Sequence, residues 1–141
     1  MKLHELITSS LTGQATLVIK NANVVNVFTD EIIKADVALC DDTIIGVGEG
    51  FTAPEVIDAE GAYLCPGFID AHVHIESSMV IPDSFARVIM PHGTTTIIAD
   101  PHEIANVAGV AGIRAIYKLT DDLPLRVMFM MPSCVPATPF E

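Results

Sequence analysis

The sequence predicts an α/β protein in which a small all-β segment, residues 15–65, precedes strands and helices in alternation over residues 66–141. Three observations predict it. Residues 15–64 are short runs rich in β-branched residues, broken by Asn, Asp and Gly. Beyond Pro66 the pattern switches between strand-like apolar runs and helix-period stretches, an order that requires parallel pairing through right-handed crossovers. The first of those runs, Pro66-Gly67-Phe68-Ile69-Asp70-Ala71-His72-Val73-His74, ends in two histidines with a single residue between them.

Taken in order, residues 1–14 carry little pattern and read as a helical or loose lead-in. Leu17–Lys20, Val24–Val27, Ala35–Cys40, Thr43–Val47 and Glu55–Ala59 read as strands, punctuated at Asn21-Ala22-Asn23, Cys40-Asp41-Asp42, Gly48-Glu49-Gly50 and Glu60-Gly61. Gly67–Val73 reads as a buried strand. Pro82, suited to a first helical turn, opens a helix over Asp83–Met90 that Pro91-His92-Gly93 stops. Thr94–Ala99 is a second strand. A helix follows over Ile104–Leu119, with Ile104, Ala108, Ala111, Ala115 and Leu119 on one face, then a third strand over Leu125–Met131 and a proline-rich loop.

Composition narrows the function. Net charge is −11 with only seven Lys and Arg, so no basic patch is available to neutralise phosphates and a nucleic-acid partner is disfavoured. No apolar run reaches the roughly 18 residues of a membrane span, and the first residues lack a secretory core, so no membrane association and a cytoplasmic address are expected. Cys40, Cys65 and Cys134 are widely spaced in apolar settings and read as reduced, buried thiols. Half of the residues are hydrophobic, a high share for 141 residues that must also cover their own surface, which points to a piece of something larger.

Alternate side chains of a strand share a face, so His72 and His74 are expected to project together, with Asp70 and Glu76 in register. Two such imidazoles can meet one cation when further ligands arrive from elsewhere; the plain alternative is two ordinary strand histidines. Asp70 reads as a carboxylate that orients a ligand histidine or as one satisfied locally. Glu76, with Ser77 and Ser78, is placed to hydrogen-bond a polar heterocycle or a second ion; the plain alternative makes Ser77 and Ser78 loop and cap residues. Asp100-Pro101-His102-Glu103 forms a second cluster at the end of the second strand. There His102 and Glu103 could reach a substrate or an auxiliary metal with Asp100 orienting one of them, or the segment simply starts the next helix. His92 reads as structural, and His4 carries no signal. Gly93-Thr94-Thr95-Thr96 lacks the lysine and spacing of a phosphate loop.

The runs PGFIDAHVHIESS (66–78), PHGTTTIIADPHEIANV (91–107) and SCVPATPFE (133–141) resemble the amidohydrolase superfamily and, within it, the adenine deaminases. The resemblance covers nearly everything from Ala15 onward. It implies a TIM-type (β/α)8 hydrolase with a composite β-sandwich, of which this chain supplies the sandwich segment and the first three βα units of an incomplete barrel. It implies hydrolysis of adenine to hypoxanthine and ammonia in purine salvage, a divalent metal held by His72 and His74, manganese ahead of iron or zinc, and no organic cofactor. The remaining ligands and the catalytic carboxylate are expected beyond residue 141, leaving Glu76, Asp100, His102 and Glu103 as the catalytic candidates on this chain. A barrel takes about 250 residues and closes only with all eight strands, so the chain is expected to be inactive alone, with a missing barrel half or a second copy as partner. The alternatives are another base deaminase or cyclic-amide hydrolase of the superfamily, and a non-catalytic fragment.

Overall fold

The computed structural model describes residues 2–133 and 135; Cys134 and most of the expected terminal loop lie outside them. Contacts divide the chain between Pro66 and Gly67 into two units. In the first, the lead-in is helical: α1 (Leu3–Thr12) ends at Gly13, whose φ of 69° is the left-handed conformation that closes a helix. The residues Asn21-Ala22-Asn23, expected as a turn, lie inside one continuous strand, β1 (Leu17–Asn26). The asparagine signal is real but serves a bulge. Pairing with β2 (Glu31–Cys40) shifts between Ile19 and Ala22, and Asn21 takes up the positive φ there, 57°, which asparagine tolerates better than most residues. Its N–H donates to Asp36 Oδ1 at 3.1 Å and its side-chain amide to Asp58 Oδ1 at 2.9 Å.

The chain turns through Asp41-Asp42 into β3 (Thr43–Gly48), antiparallel to β2. Short β4 (Glu55–Asp58) and β5 (Tyr63–Leu64) both run parallel to β1, giving the order β3-β2-β1-β4 with β5 further along β1. Val18, Ala22, Val37, Ala38 and Cys40 are buried, while Cys65 is exposed, against the expectation of a buried thiol. Ile33, Val37, Leu39, Ile44 and Leu64 line an apolar groove of about 560 Å³ on this sheet.

The second unit contains β6 (Phe68–Val73), α2 (Pro82–Ile89), β7 (Thr94–Ala99), α3 (His102–Thr120) and β8 (Arg126–Phe129). Its three strands are all parallel, in the order β6-β7-β8. Ile75, Ala86, Ile97, Ala99, Ile116 and Leu125 form the core, joined by Phe85 and Ile89 of α2 and Ile104 of α3. β7, flanked on both sides, buries Ile97 and Ala99 almost completely. The expected burial of the first strand is not met, since Phe68 is 59% and Ile69 65% exposed. Among the described residues only β7 pairs with β6. The face of α3 also differs from expectation: Ala105, Gly112, Ile116 and Thr120 are buried, one position on from the predicted stripe, and Leu119 is 56% exposed. With alanines at 105, 108, 111 and 115, periodicity alone does not distinguish the adjacent stripes. None of the described helices is long and apolar enough to cross a membrane.

Candidate metal centre

The site forms at the C-terminal ends of β6 and β7, and a bulge shapes it. Asp70 pairs with Ile97 and Val73 with Ala99, so three steps along β6 oppose two along β7, and Ala71 and His72 fall outside the regular ladder. The amide freed by that irregularity, His72 N–H, donates to Asp70 Oδ1 at 3.1 Å. Asp70 therefore supports the backbone of the first histidine, where an interaction with an imidazole was the alternative. Beyond the bulge the strand ends are tied again, Asp100 N–H donating to the Val73 carbonyl at 2.9 Å.

His72 and His74 converge. Their Nε2 atoms lie 3.1 Å apart and their rings meet edge to face with centroids 4.7 Å apart. His74 Nδ1 lies 2.9 Å from the Asp100 carbonyl, which only accepts, so Nδ1 carries the proton. In neutral His74 this leaves Nε2 with its lone pair toward His72. Two nitrogens each about 2.1 Å from a common ion and this far apart subtend an angle of roughly 95°, so the pair fits a shared divalent cation. The Asp100 carboxylate belongs to the same group, with one donor atom from each of His72, His74 and Asp100 lying within 4.8 Å of one another.

A second group adjoins it. His74, His102 and Glu103 also bring donor atoms within 4.8 Å of one another, and the His102 ring meets that of His74 edge to face at 4.6 Å. Asp100 Oδ2 lies 3.2 Å from His102 Nδ1, out of line for a hydrogen bond. Three buried side-chain atoms here have no hydrogen-bond partner: Glu76 Oε2, Asp100 Oδ1 and His102 Nδ1. Among the described residues no Lys or Arg pairs with any of these carboxylates. A part-buried set of acceptors with so little compensation suits a cation.

The other candidates touch these groups from outside or not at all. Glu76, in the 3₁₀ turn Glu76–Ser78, accepts the Ile104 N–H on Oε1 at 3.2 Å and so caps the first turn of α3. Ser77 Oγ donates to the Glu103 carboxylate, and Ser78 Oγ turns back to the Ile75 carbonyl. His92 is exposed in the turn before β7, and His4 lies beside Glu5 in α1. The Asp100 carbonyl escaped the sequence reading, because a backbone acceptor leaves no residue-type signal.

Residues 63–140 match the amidohydrolase family, and the chain belongs to that family. The family and its solved neighbours place it in the TIM-barrel superfamily, in keeping with the parallel strands and helices of its second unit. More narrowly, it is 54% identical over 138 residues to an adenine deaminase of Geobacillus kaustophilus, a match covering 98% of this chain and 24% of that protein. An adenine deaminase of Thermosipho africanus is 53% identical over 143 residues, covering 100% and 25%. The chain thus spans about a quarter of the length of the curated relatives it matches. A mutant atrazine chlorohydrolase from Arthrobacter aurescens TC1, complexed with zinc and atraton, superposes with a TM-score of 0.64 over 82% of this chain and 35% of that one; at 19% identity this is a likeness of fold. N-acyl-D-glutamate deacylase from Bordetella bronchiseptica, complexed with zinc and a phosphonate inhibitor, gives 0.53 at 26% identity over 61% and 18%.

Proposed function

We propose that the chain is the N-terminal part of a metal-dependent adenine deaminase, a hydrolase that turns adenine and water into hypoxanthine and ammonia. The observation that carries this reading is the 3.1 Å approach of His72 Nε2 and His74 Nε2 beside the Asp100 carboxylate. The adenine deaminases that match nearly all of the chain support the choice of substrate. On this reading residues 1–14 are a lead-in, residues 15–65 contribute one layer of a composite β-sandwich whose other layer faces the apolar groove, and residues 66–141 begin an eight-stranded barrel.

His72 and His74 would hold the divalent ion, with Asp100 close enough to join them. Manganese is favoured by the resemblance, ahead of iron or zinc. When bound, such an ion supplies Lewis acidity that makes water nucleophilic near neutral pH. Asp70 fixes the backbone at His72, and the Asp100 carbonyl keeps His74 in its Nδ1–H form. In the net reaction a C–O bond to the purine replaces the bond to its amine, and a carboxylate carries a proton to the departing ammonia. That carboxylate is expected on later sequence, with Glu76, Asp100, His102 and Glu103 the candidates on this chain.

The test uses the complete protein. His72→Ala and His74→Ala are each expected to lose bound metal, measured by elemental analysis, and at least about 100-fold in ammonia release from adenine. Full metal content in both variants would remove these histidines from the centre. Hydrolysis of a cyclic amide without ammonia release from adenine would instead identify a different amidohydrolase. The 141-residue chain alone is expected to show no turnover with added manganese.

A further inference from the structure

We propose that Ser77 is a positioning residue that holds the Glu103 carboxylate against His74 and His102; the inference rests on the functional reading above and adds to it a residue acting through another. Glu103 stands on the first turn of α3 and has three side-chain torsions, enough freedom to leave the cluster for solvent. The Ser77 hydroxyl restrains it. Ser77 Oγ lies 2.7 Å from Glu103 Oε1 and 2.8 Å from Oε2, nearly equidistant, so one O–H is shared across both oxygens of the carboxylate. Hydrogen bonds to an ionised acceptor are about twice as strong as neutral ones.

Ser77 is itself held in place. Its 3₁₀ turn is joined to the same helix by the bond from Ile104 N–H to Glu76 Oε1 at 3.2 Å, and it closes at Met79, whose φ of 57° is strained for a residue with a side chain. Two consecutive residues, Glu76 and Ser77, thus grip two consecutive residues of the helix, Ile104 by its backbone and Glu103 by its side chain. The second contact fixes the only carboxylate in the His74–His102–Glu103 group.

The experiment is a double-mutant cycle in the complete, manganese-loaded protein, read by steady-state ammonia release from adenine and by thermal midpoint. Ser77→Ala is expected to lower kcat about tenfold with KM changed less than about twofold, and Ser77→Thr, which keeps the hydroxyl, to recover most of that loss. In a Glu103→Ala background Ser77→Ala is expected to change kcat no further. An equal loss in both backgrounds, or a lowered midpoint with unchanged kcat, overturns the proposal. A wild-type protein inactive on adenine would defeat the functional reading separately. The midpoints then decide the contact, since a Ser77→Ala shift that vanishes without Glu103 upholds it and the same shift in both backgrounds removes it.

Discussion

A histidine ligates only through a nitrogen without a proton, so on the proposed reading the bond between His74 Nδ1 and the Asp100 carbonyl matters as much to the metal centre as the Nε2 it leaves bare. Side-chain hydrogen bonding also acts in the first unit. Donation from the Asn21 amide, then from Glu60 N–H, holds the Asp58 carboxyl below its ordinary value of 3.8. A depressed carboxylate contributes stability that is complete above the unfolded pKa and is lost as pH falls through the folded one. Asn21→Gly keeps the positive φ and removes the donor, so the Asp58 pKa is expected to rise toward 3.8 in a carboxyl NMR titration and the acid limb of stability to flatten. An unmoved titration would show that the bond does not form. At this scale the convergence of His72 and His74 was legible in the sequence, although a bulge at His72 and the end of β6 at Val73 interrupt the regular alternation from which it was read. The sequence left Asp70 open between two roles, because its partner depends on a bulge, and it did not foresee the partner of Glu76, an amide of a helix that begins 26 residues later in the sequence.

Elements were legible where their ends carry strong stops. Gly93, at φ 97°, and the Asp100-Pro101 pair bracket β7, and the predicted Thr94–Ala99 coincides with the strand. Sequence stops are weaker inside elements, as β1 and α3 both show. Asn21 marked a bulge, where the turn residues around it indicated an interruption. In α3 the backbone leaves helical geometry at Gly109, with φ 58° and ψ −148°, a region almost reserved for glycine. Glycine to alanine within a regular helix gains about 1 kcal/mol. Here the sign is expected to reverse, Gly109→Ala costing about 1–3 kcal/mol in denaturant unfolding. No side chain within 4 Å would obstruct the added methyl, so such a loss reports backbone conformation and not crowding. A stabilised variant would mean that the helix runs straight through residue 109.

Across the whole molecule, the least settled feature is apolar surface without cover. Parallel strands are ordinarily buried on both faces, by helices outside and by packed side chains inside a barrel. β7 meets that rule, while β6 leaves Phe68 and Ile69 more than half exposed. The sequence foretold a buried strand at that position because its residues are those of one, and the residues described leave Phe68 and Ile69 largely uncovered. The same division applies to the site, where His72, His74 and Asp100 come together and the remaining ligands are expected on later strands. If residues 66–141 begin a closed barrel, Ile69 is enclosed in the complete protein, whichever face it occupies. Ile69→Lys there would bury an ammonium without a partner and is expected to destabilise by several kcal/mol in denaturant unfolding. Were Ile69 as open in the complete protein as its 65% exposure in this structure, the same substitution would cost no more than about 0.5 kcal/mol. A loss that small would leave β6 at the edge of an open sheet, and the barrel reading would fail with it.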